Sequence, residues 1–463
     1  MTEQFDVIVI GAGPGGYPCA IRCAQLGKTV LVVEAKYLGG LCLNWGCIPT
    51  KALSYAAEMT DNFKKAKRFG FTIPEGGYDI NTLRNWKEGV VKRLRTGIEY
   101  LFKEHGVRWR QGRARILSEH EVEIEHNGEK VIYRADTIVI ATGTEVAPLP
   151  GFTFDGHYVI DTDAALEIQE LPKNFLIIGA GVSGLEMAVI YSRLGSTVTV
   201  VEIMDQILPG MEHEMCEQLC KILKKTGIEI FVNSRVTSYT REENKIEAAI
   251  KTPDTQLQRT FDKMLVAVGR RPIHDAFKDI NITTDKKGYV IIDDTLRTSI
   301  KNIFAIGDVV GPPLLAHKAT RQGIVCAEII SGSAKKMQPQ SIPSCVFTIP
   351  PLSSVGLTEK LAREQGLKVK IGRFPYRASG KALSMVETEG FVKIIGDEKG
   401  RLLGIHILGA ESPSLIGEAV LALDKGMLVE DIANVIHPHP TLTETIQEAA
   451  ENFYKKATHV VNK

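Results

Sequence analysis

The chain has 463 residues, 44% hydrophobic and 24% charged, with a formal net charge of +1 at pH 7. That length predicts about three or four domains with ample core, in a composition ordinary for a soluble globular protein. The near-zero charge excludes a general pull toward nucleic acid or anionic membrane, and no apolar run reaches the roughly 18 residues of a membrane span.

Eight cysteines in so long a chain are not a disulfide framework. Cys19/Cys23 and Cys216/Cys220 have helical i,i+4 spacing but no local His or third Cys, so they read as packing residues and not as a metal site. Glu3 and Asp6 lead straight into a strand, which argues against a cleaved secretory signal. A reducing, cytoplasmic setting is expected.

In chain order, Phe5 to Ile10 form a β-branched run that predicts a buried strand. Gly11-Ala-Gly13-Pro-Gly-Gly16 follows, then a helix ending near Gly27, then a strand from Thr29 to Val33 closed by Glu34. This is a dinucleotide-binding unit. Its glycines let the backbone approach a pyrophosphate at the helix N-terminus, and Glu34 can bind ribose hydroxyls.

Next comes Gly40-Leu-Cys42-Leu-Asn-Trp-Gly46-Cys47-Ile-Pro49-Thr-Lys51. The thiolate is the reactive form of cysteine, and a helix N-terminus favours negative charge, so Cys47 sits where that field acts. A regular helix would put Cys42 and Cys47 on different faces; bridging them needs a bend, and Gly46 can bend. Two readings stand at this point: a redox-active disulfide that opens in each turnover, or two small buried hydrophobic residues.

A helix is predicted from Pro49. The basic runs Lys64 to Arg68 and Arg108 to Arg115 lack clustered aromatics and read as solvated surface. Between Trp109 and Tyr133 short alternating strands turn at Asn127-Gly128, a hairpin signal. Thr137 to Gly143 is one more buried strand with a small-residue end, and Pro148 to Gly151 a linker.

Then the first pattern recurs. Phe175 to Ile178 is a strand, Gly179-Ala-Gly181-Val-Ser-Gly184 a turn, Leu185 to Leu194 a helix, and Thr197 to Val201 a strand closed by Glu202. The spacing from first glycine to acid is the same in both copies, so two dinucleotide-binding units share one chain. Val266-Ala-Val-Gly269 repeats the ending of the Thr137 to Gly143 strand, which predicts an inserted second domain. A carboxylate at Glu202 accepts from a 2′-hydroxyl and repels a 2′-phosphate. No Arg or Lys lies between Glu202 and Leu208, so NAD is favoured over NADP.

Ile303 to Asp308 is a short apolar strand ending in glycine and an acid. Asp308 is a plain turn acid or, beside a flavin, a sugar-chain contact. From about Ser341 an antiparallel sheet is expected, with helices after Ser412 and no nucleotide motif. The last motif is His437-Pro-His439-Pro440-Thr-Leu-Thr-Glu444. Two prolines fix the backbone around His439, the His439–Pro440 bond is a candidate cis peptide, and Glu444 opens the final helix and can orient an imidazole. The alternative is a histidine that only packs. Domain boundaries are expected at 1–147, 148–273, 274–340 and 341–463.

Gly40 to Lys51, Gly179 to Glu186, Ile303 to Asp308, Leu315-Ala-His-Lys-Ala319 and His437 to Glu444 together resemble the pyridine nucleotide–disulfide oxidoreductase family, in its flavoprotein class with a C-x4-C disulfide. The resemblance covers nearly the whole chain. It implies an α/β fold with two Rossmann-like domains, one inserted in the other, and a C-terminal α+β dimerisation domain. It implies FAD at Gly11, Gly13, Gly16, Glu34, Lys51, Gly143, Asp308 and Ala316, and NAD at Gly179, Gly181, Gly184, Glu202 and Gly269. Cys42 would be the interchange thiol and Cys47 the thiol against the flavin. Lys51 and Glu186 would pair beside the flavin ring. His439, held by Glu444, would be the acid–base, contributed by the other subunit of a homodimer.

The implied reaction is oxidation of protein-bound dihydrolipoamide to lipoamide with reduction of NAD. The implied partner is a lipoyl-bearing acyltransferase of a 2-oxoacid dehydrogenase complex, or a glycine cleavage lipoyl protein. Glutathione-type reductases share the disulfide but normally use NADP and lack the His437-Pro-His439 doublet. Leu41, Trp45, Thr320-Arg321-Gln322 and Pro350-Pro351 depart from the family's usual residues.

Overall fold

β1 (Gln4–Ile10) is a run of β-branched residues with both faces buried. Such a strand belongs inside a parallel sheet covered on both sides. In this computed structural model, which describes residues 3–72, 77–167, 169–337 and 341–462, it does. The contacts divide the chain into two units. The first comprises Met1–Ala52, Asn81–Pro148 and Gly269–Gln338; the second Leu53–Ile80, Leu149–Val268 and Pro339–Lys463.

In the first unit β1 leads through α1 (Gly16–Gln25) to β2 (Val30–Glu34). The short α2 (Gly40–Trp45) follows, then α3 (Cys47–Ala66), of which only the residues up to Ala52 belong to this unit, α4 (Ile80–Glu104), β3 (Arg108–Gln111), β4 (Arg113–Ser118), β5 (Glu121–His126) and β6 (Glu129–Ile140). The sheet order is β3-β2-β1-β6-β5-β4, with the strand Ile303–Ala305 parallel to the end of β6. Two strands were expected between Glu129 and Gly143, and one is found. Nothing between Tyr133 and Thr137 breaks it, so its first half makes the hairpin with β5 and its second half enters the parallel sheet. The hairpin turns at Asn127 and Gly128, both at positive φ (51° and 85°), as a two-residue turn matching strand twist requires.

The period of two sorts the core. Val7, Val9, Val30 and Val32 pack on one side with α1 and the helix Ala316–Ile330. Ile8, Ile10, Leu31 and Val33 face the other, with Ile116, Val122 and Tyr133. The chain leaves this unit after Pro148 and returns at Gly269, where Arg270–Pro272 pairs antiparallel with Thr144–Val146.

The second unit holds a parallel sheet in the order Glu229–Phe231, Thr197–Val201, Asn174–Ile178, Lys263–Val266, Val159–Ile160. It also holds a five-stranded antiparallel sheet in which Val369–Pro375, Phe391–Asp397, Leu402–Leu408 and Leu352–Gly356 are successive neighbours. Residues of the helices Ser412–Asp424 and Glu444–Phe453 share its apolar core.

Among the described residues no helix is long and apolar enough to cross a membrane, and no group of three or more His, Cys, Asp or Glu is placed to hold a metal ion. Cys19, Cys23 and Cys216 are buried. In the second basic run Arg108 and Arg115 pair with Glu3 and Asp279 at the surface.

Candidate active site

The first glycine turn is fixed by close approach. Gly11 has φ +100°, and a Cβ there would meet Ala141 O at 2.3 Å; one on Gly16 would meet Gly11 O at 1.8 Å. The start of α1 is thereby held against β1. Glu34 supports the turn from the end of β2. Its Oε2 accepts from Ala12 N–H at 2.8 Å and its Oε1 from Lys36 N–H at 2.9 Å. The chain then folds back over the turn. Gly39 N–H donates to Ala12 O at 2.9 Å, and Gly40, at φ +58°, lies so close that a Cβ would be 2.6 Å from Gly13 Cα.

Asp308, after the strand Ile303–Ala305, is the second acid of this unit. Thr144 Oγ1 is 3.5 Å from its Oδ2. Burial pushes the Asp308 carboxyl up, against Lys318 and Arg270, and burial likewise pushes up Glu34 against its backbone donors. Glu34 is buried and Asp308 half-buried; hydroxyl donors of a ligand would favour the ionised form of each and offset the burial. Gly143 (φ +69°) has no atom within 4 Å of an added Cβ, and Ala316 opens the helix Ala316–Ile330. An open glycine, two acids and two helix N-termini fit a flavin dinucleotide.

α2 and α3 meet at Gly46, and across that break Cys42 and Cys47 form a disulfide with a Cα separation of 4.7 Å. Of the two readings of these cysteines, the paired one holds. Gly46 bends as expected, and a Cβ there would crowd Leu41 O at 3.1 Å and Cys42 Cα at 3.2 Å. Cys47 is the first residue of α3, whose N-terminal N–H groups favour a thiolate. Lys51 lies in the next turn.

The second unit repeats the first turn. Ala180 N–H donates to Glu202 Oε2 at 2.7 Å and Met204 N–H to Glu202 Oε1 at 2.8 Å. A Cβ on Gly179 would meet Ala267 O at 2.4 Å, and one on Gly184 would meet Gly179 O at 2.0 Å. Around Gly181 no atom lies within 4 Å of an added Cβ. Glu186, buried on the helix Val182–Arg193, accepts from Phe347 N–H at 2.9 Å. Gly269 groups with the first unit, not with Gly179.

His439 Nδ1 is 2.8 Å from Glu444 Oε1, and Thr441 N–H donates to Glu444 Oε2 at 2.8 Å. Desolvation raises the Glu444 carboxyl, but the Thr441 N–H and His439 outweigh it and hold it below its ordinary value. The His439–Pro440 bond is cis, as the sequence suggested. The His439 side chain is 79% exposed, so it does not merely pack. His437 is pinned instead, with Nε2 2.9 Å from Glu418 Oε1 and Nδ1 2.9 Å from Val435 O. Glu418, Thr441, Asn44 and Arg95 were not singled out from sequence; Glu418 and Arg95 carry no local motif that could have found them.

Two nucleotide turns and a disulfide at a helix N-terminus define a nucleotide-dependent disulfide oxidoreductase. Comparison with known proteins agrees. The pyridine nucleotide-disulphide oxidoreductase family matches residues 5–323, and its dimerisation domain matches residues 342–450. The chain belongs to that family. It is 44% identical to a dihydrolipoyl dehydrogenase of Thermus scotoductus, covering 100% of both chains. It is 39% identical to dihydrolipoyl dehydrogenase 3 of Haloarcula marismortui, over 99% of this chain and 98% of that one. Among solved structures, the HOCl-induced flavoprotein disulfide reductase RclA from Escherichia coli superposes with a TM-score of 0.85 at 27% identity, over 96% of this chain and 99% of that one.

Proposed function

We propose that this chain oxidises protein-bound dihydrolipoamide to lipoamide and reduces NAD to NADH. The observation that carries the reading is the Cys42–Cys47 disulfide at the head of α3, in a chain related end to end to dihydrolipoyl dehydrogenases. Gly11, Gly13, Gly16, Glu34, Lys51, Gly143, Asp308 and Ala316 would hold FAD. Gly179, Gly181, Gly184 and Glu202 would hold NAD, with Gly269 as a further contact, and Lys51 and Glu186 would carry the charges the flavin ring needs.

The side chains divide the work. With Nδ1–H given to Glu444, His439 keeps Nε2 free of a proton and takes one from a substrate thiol. That thiolate attacks Cys42 Sγ, forms a mixed disulfide and releases Cys47 as a thiolate, which the N-terminus of α3 stabilises. The second substrate thiol, as thiolate, attacks its own partner sulfur, closes lipoamide and frees Cys42. Two electrons leave the substrate as one S–S bond forms there and one breaks in the enzyme. FAD, when bound, takes an electron pair from a thiolate and passes hydride to NAD.

Six cysteines that form no disulfide support a reducing, cytoplasmic setting for this reading. The dimerisation-domain match and the exposure of His439 support a homodimer in which each site takes His439 from the partner chain. The lipoyl carrier would be an acyltransferase or a glycine cleavage protein.

The test is NADH formation from dihydrolipoamide and NAD by the FAD-loaded protein, lost in Cys42→Ser; a loaded, folded protein that makes no NADH defeats the proposal. The shared site is tested by mixing His439→Gln and Cys47→Ser subunits. Each homodimer should be nearly inactive, while a mixed dimer has one site with both defects and one with neither. Absence of recovery in proven mixed dimers would place the site within one chain.

A further inference from the structure

Trp45 stands between the two cysteines, next to the bend at Gly46. Its ring is tilted against Tyr37, centroids 5.8 Å apart, and the Lys36 ammonium lies 5.1 Å from its ring centre. Tyr37 in turn carries the Arg95 guanidinium 3.9 Å from its ring centre. Arg95 comes from α4 and also donates from Nη2 and Nε to Asn44 Oδ1, at 2.6 and 3.1 Å. The Asn44 amide nitrogen donates to Leu38 O at 3.0 Å and Gly40 O at 2.9 Å. One buried amide therefore ties the start of α2 to its end, and Arg95 ties that amide to α4. These contacts flank Cys42 on both sides, and none of them uses a sulfur. They can persist when the disulfide opens.

We propose that Arg95, acting through Asn44 and the Tyr37–Trp45 pair, is a positioning residue that keeps Cys42 against Cys47 in the dithiol form. This rests on the reading of Cys42 and Cys47 as the redox couple. Closing a disulfide depends on the effective concentration of one thiol at the other, and that falls when the intervening loop gains freedom. Between the cysteines the backbone is broken at Gly46, the residue best able to relax once the S–S bond is gone. The brace removes that freedom from one side, so it should favour the disulfide.

The experiment equilibrates the FAD-loaded protein, without oxygen, against graded ratios of reduced to oxidised dithiothreitol. The Cys42–Cys47 bond breaks as the ring S–S bond of dithiothreitol forms, and two electrons and two protons pass to the enzyme thiols. Alkylation of Cys42 and Cys47, read by mass, reports the dithiol fraction, and melting temperature is followed alongside. Arg95→Met keeps an apolar stem and removes the guanidinium. It should reach half-reduction at an about tenfold lower ratio, equivalent to roughly 30 mV for a two-electron couple. Trp45→Val should shift the ratio about threefold in the same direction, and Trp45→Phe, which keeps a ring against Tyr37, should restore it. An unchanged ratio in folded Arg95→Met, with or without a lower melting temperature, overturns the proposal and leaves the brace as support for the fold. If Arg95→Met does not fold, Trp45→Val against Trp45→Phe decides by the same criterion. Failure of the wild-type cysteines to equilibrate with dithiothreitol would instead defeat the redox reading itself, and it is seen before any variant is compared.

Discussion

The two glycine turns are bonded alike and covered differently. In each, the second residue of the turn gives its N–H to a buried glutamate at 2.8 or 2.7 Å, and the sixth residue presses on the first. In each, the chain returns to that second residue's carbonyl, from Gly39 to Ala12 and from Leu208 to Ala180, both at 2.9 Å. In the first copy Gly40 then lies over Gly13 and leads into the disulfide helix; in the second, Gly181 stays open. The first turn also meets the helix Ala316–Ile330, where Thr320 Oγ1 donates to Pro14 O at 3.0 Å and a Cβ on Gly323 would be 2.3 Å from Gly15 O. One local design thus suits a resident cofactor where the following chain folds over it, and an exchangeable one where it does not.

The sharpest way to break this comparison is to damage both turns alike. Gly16→Ala and Gly184→Ala each drive a methyl into a glycine carbonyl, at 1.8 and 2.0 Å. Overpacking of this kind costs about 1–3 kcal/mol or more. Gly16→Ala should purify colourless, without FAD, and melt lower. Gly184→Ala should stay yellow yet lose NADH-driven reduction by about 100-fold, roughly 3 kcal/mol of binding. Loss of FAD from Gly184→Ala alone would reverse the assignment of the two sites.

Such features were legible in the sequence because they are local. Glycine spacing, an acid at a strand end, a bend at Gly46 and an acid five residues after His439 each declare themselves within a short stretch. The covering of the first turn did not, because Gly40 meets Gly13, and Thr320 meets Pro14, only through tertiary packing. Arg95 reaches Asn44 from 51 residues away. Lys393, inside the strand Phe391–Asp397, has no local motif that marks it. Its side chain is 2% exposed, with Nζ 2.7 Å from Glu212 and Glu359 and 3.0 Å from Glu214. Periodicity gives the buried face of that strand but not three carboxylates brought to it from distant parts of the chain.

Milder substitutions sharpen the contrast between open and covered. Nothing lies within 4 Å of a Cβ on Gly181, so Gly181→Ala should melt within about 1 °C of wild type. The methyl obstructs only the approaching pyrophosphate, so KM for NAD should rise about tenfold. Gly40→Ala, with its Cβ 2.6 Å from Gly13 Cα at φ +58°, should instead lower both melting temperature and FAD retention. A Gly181→Ala protein that melts early would show that the second turn is covered after all. Glu202→Ala removes the acceptor of two N–H groups, worth about 1–3 kcal/mol locally. NAD should weaken, NADP should gain from relief of repulsion, and the preference should narrow about tenfold. Equal use of both nucleotides by the wild type would remove Glu202 from that role.

The smallest effect is the pH dependence of FAD binding. Burial pushes the Glu34 carboxyl up, against the N–H groups of Ala12 and Lys36, and pushes Asp308 up against Lys318, Arg270 and Thr144. A carboxyl raised in the fold favours its protonated form. Its contribution to the FAD-free protein is fully present below the unfolded value, about 4, and is lost as pH rises through the raised folded value. Sugar hydroxyls that donate to these oxygens reverse the preference, because they bind the ionised form. FAD affinity should therefore strengthen several-fold as pH rises through the same window, from about pH 4 upward. Glu34→Gln and Asp308→Asn cannot titrate, and each turns an acceptor oxygen into a donor. Each should weaken FAD and flatten the slope, and the double variant should show almost no slope. FAD fluorescence released on dialysis at stepped pH measures this. Affinity that falls with rising pH, or a slope that survives in the double variant, would take both carboxylates out of contact with the sugar chain.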